Sequence, residues 1–343
     1  MTDRKTRNHS YESVGRALAG EKLVFILPHI LADGDALGSA TALCRALLSI
    51  SVEARVLVED KVADYLNFLK GNMVVSLEEA ENIYSYALEK GEYSCVVVDC
   101  GSVDRFPLRE KIFKGSETTY CLDHHRTSER EFDYNIIEPE AAATGEIVYD
   151  LICAMRINIT SQMAEGLFTA ITTDTGNFQY SNTRKKSHEI MAKLYDTNTD
   201  FNKISVELYE SEPIEKIKLQ GDILSGSRTV LGGKAIIGIV LQKDLHRYGA
   251  MTEHTEGLVG TLRSVSGVEI AALVKEQEDG NFKVSLRSKS VGDVAVIAEN
   301  IGSTGGGHTK AAGFSFQGSK EELLRELERE MGAQLVRKNE KVK

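Results

Sequence analysis

Short apolar runs alternate with longer amphipathic stretches through the first half of the chain. LVFILPH at 23–29, EARVLV at 53–58, YSCVVVDC at 93–100 and TTYCLDHH ending at His125 are rich in β-branched residues and predict strands, with a helix expected from about Ser39 to Ile50. Strands of this kind separated by amphipathic helices predict an α/β layer on a mainly parallel sheet. After Asn135 the apolar spacing changes to three and four in AATGEIVYDLICAM, AEGLFTAITTD and KKSHEIMAKLYD, which predicts helices that cover the sheet. A more charged stretch containing Pro213 and ending near Gly232 and Gly233 reads as a connecting helix and turn. Beyond it, KAIIGIVL, VEIAALVKEQ, FKVSLRS and FSFQ predict strands of a smaller α/β unit, and a last helix starts with a capping box near Ser319 and Glu322. The expected layout is a first domain over 1–205, a helical linker over 206–230 and a second domain over 231–343.

Composition narrows the function. A chain of 343 residues, 42% hydrophobic and 27% charged, suits two globular domains. Its formal charge of −10 argues against stable coating of long DNA or RNA, which needs basic surface to neutralise phosphates. The opening MTDRKTRNHS lacks the apolar stretch of an export signal, and no apolar run is long enough to span a bilayer, so a cytoplasmic protein with no membrane partner is expected. The five cysteines sit at spacings of neither a disulfide framework nor a zinc knuckle and are expected to be small buried hydrophobes.

The polar residues at the strand ends carry the candidate chemistry, because open α/β sheets bind ligands beyond the carboxyl ends of their strands. HILADGDALGS holds His29, Asp33 and Asp35; the two carboxylates can either approach neighbouring metals or shape a turn that caps the following helix. Asp99 follows the apolar run CVVV, as a ligand or as a loop anchor. Asp123, His124 and His125 follow another strand, and three consecutive polar groups there are costly to bury without partners or a metal. Asp174 in AITTDTGNFQY is either a ligand or the side chain of an N-cap or Asx turn near Gly176. Together these offer five carboxylates and three of the eight histidines in the chain. A pair of divalent cations about 3.5–4 Å apart needs a bridging carboxylate with ligands on both sides, which this inventory supplies.

The ordered motifs HILADGDALGS, DHH, TTDTGNF and GGGHTKAAG resemble those of the DHH superfamily of phosphoesterases, in the branch that joins a DHH domain to a DHHA1 domain. That branch includes nano-RNases and 3'-phosphoadenosine 5'-phosphate (pAp) phosphatases, and the resemblance covers nearly the whole chain. It implies that His29 and Asp33 hold one metal, that Asp35, His124 and Asp174 hold the other, and that Asp99 bridges them. It further implies that Asp123 orients the histidines, that His125 faces the reactive phosphate and that the metals are manganese. Many relatives have Pro where this chain has Ala32, so the loop here loses a fixed φ while keeping every ligand.

In the second domain, Gly305, Gly306 and Gly307 read either as a backbone nest for phosphate or as a plain glycine loop or strand connection. Arg287 and Lys289 lie on or just past FKVSLRS, where alternation projects both to one face. The resemblance makes Arg263, Arg287 and His308 candidates for the substrate's other phosphate or its base. The expected activity is two-metal hydrolysis of very short oligoribonucleotides, linear dinucleotides included, to mononucleotides, with phosphate removal from pAp as a related activity and one substrate shared by both domains. A cyclic dinucleotide phosphodiesterase and a noncatalytic nucleotide sensor are the competing expectations. Small nucleotides are the expected partners, and a homodimer is compatible with the chain.

Overall fold

The four predicted runs become β1 (Leu23–Pro28), β2 (Glu53–Val58), β4 (Ser94–Val98) and β5 (Thr118–Asp123), and two strands that the sequence reading did not mark, β3 (Val74–Ser76) and β6 (Tyr134–Ile137), join them. The computed structural model describes residues 8–302 and 304–336. The strands form one sheet in the order β3-β2-β1-β4-β5-β6, with every pairing parallel. Burial on both faces explains why the strands read as continuous apolar runs. Val24, Ile26, Val96, Val98 and Leu122 belong to one core, while Phe25, Leu27, Cys95, Val97 and Cys121 belong to another across the sheet. The first core is covered by the helices Gly34–Ser49, Thr144–Ala154 and Ser161–Asp174. Because the chain leaves β1 toward β2 on one side and β4 lies on the other, the loops after β1 and β4 diverge and leave a crevice at this switch point.

The chain divides into two units between Ser211 and Glu212. The second contains β7 (Arg228–Val230), β8 (Ala235–Val240), β9 (Ile270–Glu276), β10 (Phe282–Ser288), β11 (Thr304–His308) and β12 (Ala311–Phe316). Its sheet runs β11-β12-β10-β9-β8-β7, parallel at β8–β9 and antiparallel elsewhere. Helices Val294–Ile301 and Lys320–Val336 cover one face, and Ile214–Ser225, Gln242–Tyr248 and Leu258–Ser264 pack on the other. The fold class is thus a parallel-sheet α/β unit joined by helices to a smaller α/β unit.

Several local expectations are corrected. The first helix of the metal loop begins at Gly34 rather than near Ser39, because Asp33 caps it through Ala36 N–H at 3.0 Å. The helix Ile214–Ser225 and the strand β7, both inside the expected 206–230 linker, are packed parts of the second unit. Gly305, Gly306 and Gly307 form no turn: they lie in β11, an edge strand paired with β12. Glycine's low strand propensity hides such a strand in the sequence. Four cysteines are buried as expected, but Cys153 is exposed. Among the described residues no helix is long and apolar enough to cross a membrane.

Candidate metal centre

The first unit's polar cluster collects at the carboxyl ends of its central strands. His29 follows β1, Asp99 follows β4, Asp123 ends β5 and His124 comes next. Asp33 and Asp35 sit at the cap and in the first turn of the Gly34–Ser49 helix, so capping and metal binding are compatible for Asp33. Asp174 ends the Ser161–Asp174 helix instead of starting a turn as an N-cap. A carboxylate there faces the negative end of the helix dipole and needs a nearby cation.

These side chains converge. Asp99 turns one oxygen to each histidine, with Oδ2 3.6 Å from His29 Nε2 and Oδ1 3.5 Å from His124 Nε2. His29 Nε2 is also 3.7 Å from Asp33, and His124 Nε2 is 3.8 Å from Asp35 and 3.7 Å from Asp174. Three groups, His29–Asp33–Asp99, Asp35–His124–Asp174 and Asp99–His124–His125, each place one ligand atom per residue within 4.8 Å of the others. The histidine rings are prepared for this: Nδ1 of His29 bonds the Ile30 carbonyl at 2.6 Å and Nδ1 of His124 the Ala141 carbonyl at 3.2 Å, which leaves both Nε2 atoms facing the carboxylates. Such a set of carboxylates and imidazoles suits divalent cations.

Residues that the motifs did not mark complete the centre. Thr144 donates its N–H to Asp35 at 2.7 Å and its hydroxyl to Asp99 at 2.9 Å, and Gly145 N–H donates to Asp35 at 2.9 Å. Asn182 donates to the carbonyls of Ala142 and Asp174, and Ser128 donates to Asp123. Their one sequence signal is the small-residue run AAATG, where a helix start can approach a carboxylate closely. Ala32 costs the loop little rigidity, since Ile30 N–H is held by the Arg105 carbonyl at 2.7 Å and Leu31 N–H by the Asp60 carboxylate.

The electrostatics call for cations. Burial, reinforced by the charges of Asp99, Asp174 and Asp33, raises Asp35 well above the carboxylate range. Burial likewise raises Asp174 to about 6, against the attraction of His124. Burial opposes a charge on His29, yet hydrogen bonding to Asp33 and Asp99 outweighs it and lifts the imidazole to about 10. Asp123 is different: its hydrogen bonds from His125 and Ser128 overcome its burial and keep the carboxyl low, and the same 2.8 Å contact raises His125. Asp123 and His125 thus form a hydrogen-bonded pair beside the cluster.

The predicted recognition residues lie in the second unit. Register pairing sets Arg287 opposite Ala311 and Ala311 opposite His308, so Arg287 and His308 share one row and one sheet face with a small side chain between them. Arg263 is on the Leu258–Ser264 helix, which packs over that face. The three glycines differ. A Cβ on Gly305 would meet the Ala298 carbonyl at 2.4 Å, and one on Gly307 would meet the Ala311 carbonyl at 2.5 Å, so packing alone accounts for both. Gly306, on the His308 face, has open space where its Cβ would be.

Comparison with known proteins gives the family. Residues 23–171 match the DHH family, N-terminal domain, and residues 233–333 match the DHHA1 domain. The chain is 30% identical to the bifunctional oligoribonuclease and PAP phosphatase NrnA of Thermus thermophilus, over 88% of this chain and 86% of that one. It is 25% identical to the NrnA of Bacillus subtilis, over 84% and 87% respectively. The fold of an exopolyphosphatase-related protein from Bacteroides fragilis superposes with a TM-score of 0.85 at 24% identity, covering 93% of this chain and 94% of that one. With its two domains in the same order and this degree of identity along nearly its full length, the chain belongs to the DHH family, as a DHH–DHHA1 protein homologous to the bacterial NrnA enzymes.

Proposed function

We propose that this protein is a two-metal phosphoesterase that degrades oligoribonucleotides a few residues long, linear dinucleotides included, to mononucleotides, and that it removes phosphate from pAp at the same centre. The observation that carries this reading is Asp99, whose two oxygens face the two ligand groups from between them. The activities of the NrnA relatives support the substrate class. In this reading His29, Asp33 and Asp99 hold one cation and Asp35, His124, Asp174 and Asp99 the other, with manganese as the proposed ion. When bound, such ions supply Lewis acidity to the phosphate and lower the pKa of a water nucleophile.

The chain's own groups do the rest. The Ile30 and Ala141 carbonyls fix the tautomers of His29 and His124, and the amides of Thr144 and Gly145 orient Asp35. Asp123 orients the half-exposed His125 through its Nδ1 beside the cluster, where the ring stabilises phosphate charge or gives a proton to the leaving oxygen. Arg263, Arg287 and His308, bordered by the open backbone of Gly306, are assigned to the part of the nucleotide that does not react.

Separate incubations of a linear dinucleotide, a cyclic dinucleotide and pAp with Mn2+, with products resolved, test the activity. Mononucleotides from the linear substrate, abolished by a chelator and restored by Mn2+, are expected. Cleavage of the cyclic substrate alone, or binding without turnover, would replace this reading by a cyclic phosphodiesterase or a sensor. The division of labour has its own test. Arg287→Ala and His308→Ala should leave metal content near normal yet lower kcat/KM for the dinucleotide about tenfold or more, since each removes a charge-assisted or ring donor. A small activated phosphodiester should lose much less, and equal proportional losses on both substrates would refute selective recognition.

A further inference from the structure

Residues 29–33, which carry the candidate ligands His29 and Asp33, run as irregular backbone from the end of β1 to the start of the Gly34–Ser49 helix. Two backbone N–H groups tie this loop to other segments, one from each side of β1. Ile30 N–H donates to the Arg105 carbonyl at 2.7 Å, in the stretch that follows β4, and Leu31 N–H donates to the Asp60 carboxylate, just past the end of β2. Leu31 stands at φ +52, a backbone conformation unfavourable for a leucine. Its side chain is exposed, so packing does little to hold it there. The hydrogen bond to Asp60 is the restraint that remains.

Asp60 is itself anchored. Its neighbour Glu59 accepts Arg109 Nε at 2.9 Å and Leu108 N–H at 3.2 Å, and Arg109 Nη1 donates to the Leu57 carbonyl at 2.6 Å. The Glu59 and Arg109 side chains are both buried, and losing either would strand a charge away from water, so the pair pins the end of β2 to the stretch that also supplies Arg105. One buried ion pair therefore backs both ties to the loop. The other candidate ligands do not depend on it. Asp35 lies in the first turn of a helix and takes the Thr144 and Gly145 amides, His124 follows β5 and bonds the Ala141 carbonyl, and Asp174 ends a helix.

We propose that Asp60 is a positioning residue for one cation of the pair, the one assigned to His29, Asp33 and Asp99. Its hydrogen bond holds Leu31 in the left-handed conformation that sets where His29 and Asp33 stand relative to each other. The proposal rests on the two-metal reading above and deepens it, since it makes the two cation sites separable by a residue that ligates neither. With Ala32 in the loop, the Asp60 carboxylate restrains from outside what a proline at that position would restrain from within.

The test titrates the full-length, chelated protein with Mn2+, read by calorimetry and by electron paramagnetic resonance, in which spin coupling distinguishes a neighbouring pair of Mn2+ ions from a lone ion. The wild type should bind two ions and show the coupled signal. Asp60→Ala should weaken one binding step about tenfold or more, leave the other near its wild-type value, and give the uncoupled signal where only the stronger site is filled. Asp60→Asn keeps an acceptor oxygen without the charge and should retain most of the affinity. Leu31→Asn in the Asp60→Ala background should recover part of the loss, because asparagine takes the left-handed conformation at lower cost. A role of Asp60 unrelated to the backbone of residue 31 gives no such recovery. Equal weakening of both steps, a loss in Asp60→Asn as large as in Asp60→Ala, or no recovery with Leu31→Asn would overturn the proposal. A wild type without the coupled pair would refute the two-metal reading and this proposal together, whereas a coupled wild type with an unchanged Asp60→Ala protein would refute the role of Asp60 alone.

Discussion

Asp99 stands at φ +59, in the left-handed region that Asp tolerates better than most residues, with its N–H donated to the Leu122 carbonyl at 3.0 Å. Asn is close to isosteric and tolerates the same backbone, so Asp99→Asn should fold normally. It cannot bring a negative charge between two cations. We expect turnover to fall by more than roughly 100-fold, beyond the loss typical when a group that only orients a ligand is changed, together with a lower bound-metal count by elemental analysis; unchanged turnover with two metals retained would refute the bridge. Leu31 offers the converse case. It holds φ +52 with its side chain 76% exposed, so it bears backbone strain without a packing return. Leu31→Asn should raise stability by about 1 kcal/mol, read as a higher unfolding midpoint in denaturant, while the Asp60 bond to the residue's N–H keeps the loop in place.

At the level of elements, glycines bring the ligand-bearing helices together. Gly38 and Gly166 face each other closely enough that a Cβ on Gly38 would lie 2.4 Å from the Gly166 carbonyl, and one on Gly166 would lie 2.6 Å from the Gly38 carbonyl. Gly34 is similarly closed by Thr173, and Gly145 by Ala170. The start of one helix with Asp35 and the end of another with Asp174 thereby both reach His124 Nε2. Gly166→Ala should destabilise by about 1–3 kcal/mol through overpacking against backbone, and it should weaken metal affinity although residue 166 is no ligand. A calorimetric metal titration that gives wild-type affinity in a measurably destabilised Gly166→Ala protein would separate the packing from the site. Sequence periodicity revealed these helices but not their separation, because the contact that sets it joins positions more than a hundred residues apart.

For the molecule as a whole, the centre couples stability to pH and metal. Burial raises Asp35 and Asp174 above their unfolded values, Asp174 to about 6. A carboxyl raised on folding contributes stability that is full below its unfolded pKa and lost as pH rises through the folded one. The chelated protein should therefore lose stability between about pH 4 and 7 at this site, and Mn2+ should recover it by binding the ionised carboxylates. We expect the rise in Tm on adding Mn2+ to be larger at pH 7.5 than at pH 5, and the chelated Asp174→Asn protein to show a weaker pH dependence than the chelated wild type. An equal metal-induced rise at both pH values would contradict this account.

What the sequence by itself determined was local: alternating apolar runs for strands buried on both faces, helices at their 3.6-residue period, and the acidic and histidine residues just past the strand ends. The motifs marked the candidate ligands His29, Asp33, Asp35, Asp99, His124 and Asp174 because a polar residue that interrupts an apolar run is visible in one dimension. Tertiary structure decided what depends on distant residues meeting. Strand order placed β1 beside β4 and so opened the crevice. The Thr144–Ala154 helix start was brought to Asp35 and Asp99, and Arg126 and Arg184 were drawn to Glu140 from three segments. Pairing with β12 made a strand of Thr304–His308, whose glycines read locally as a loop. Backbone propensity and periodicity act over a few residues, whereas strand pairing, close helix contact and charge convergence arise only when the folded chain brings remote segments within a few ångströms.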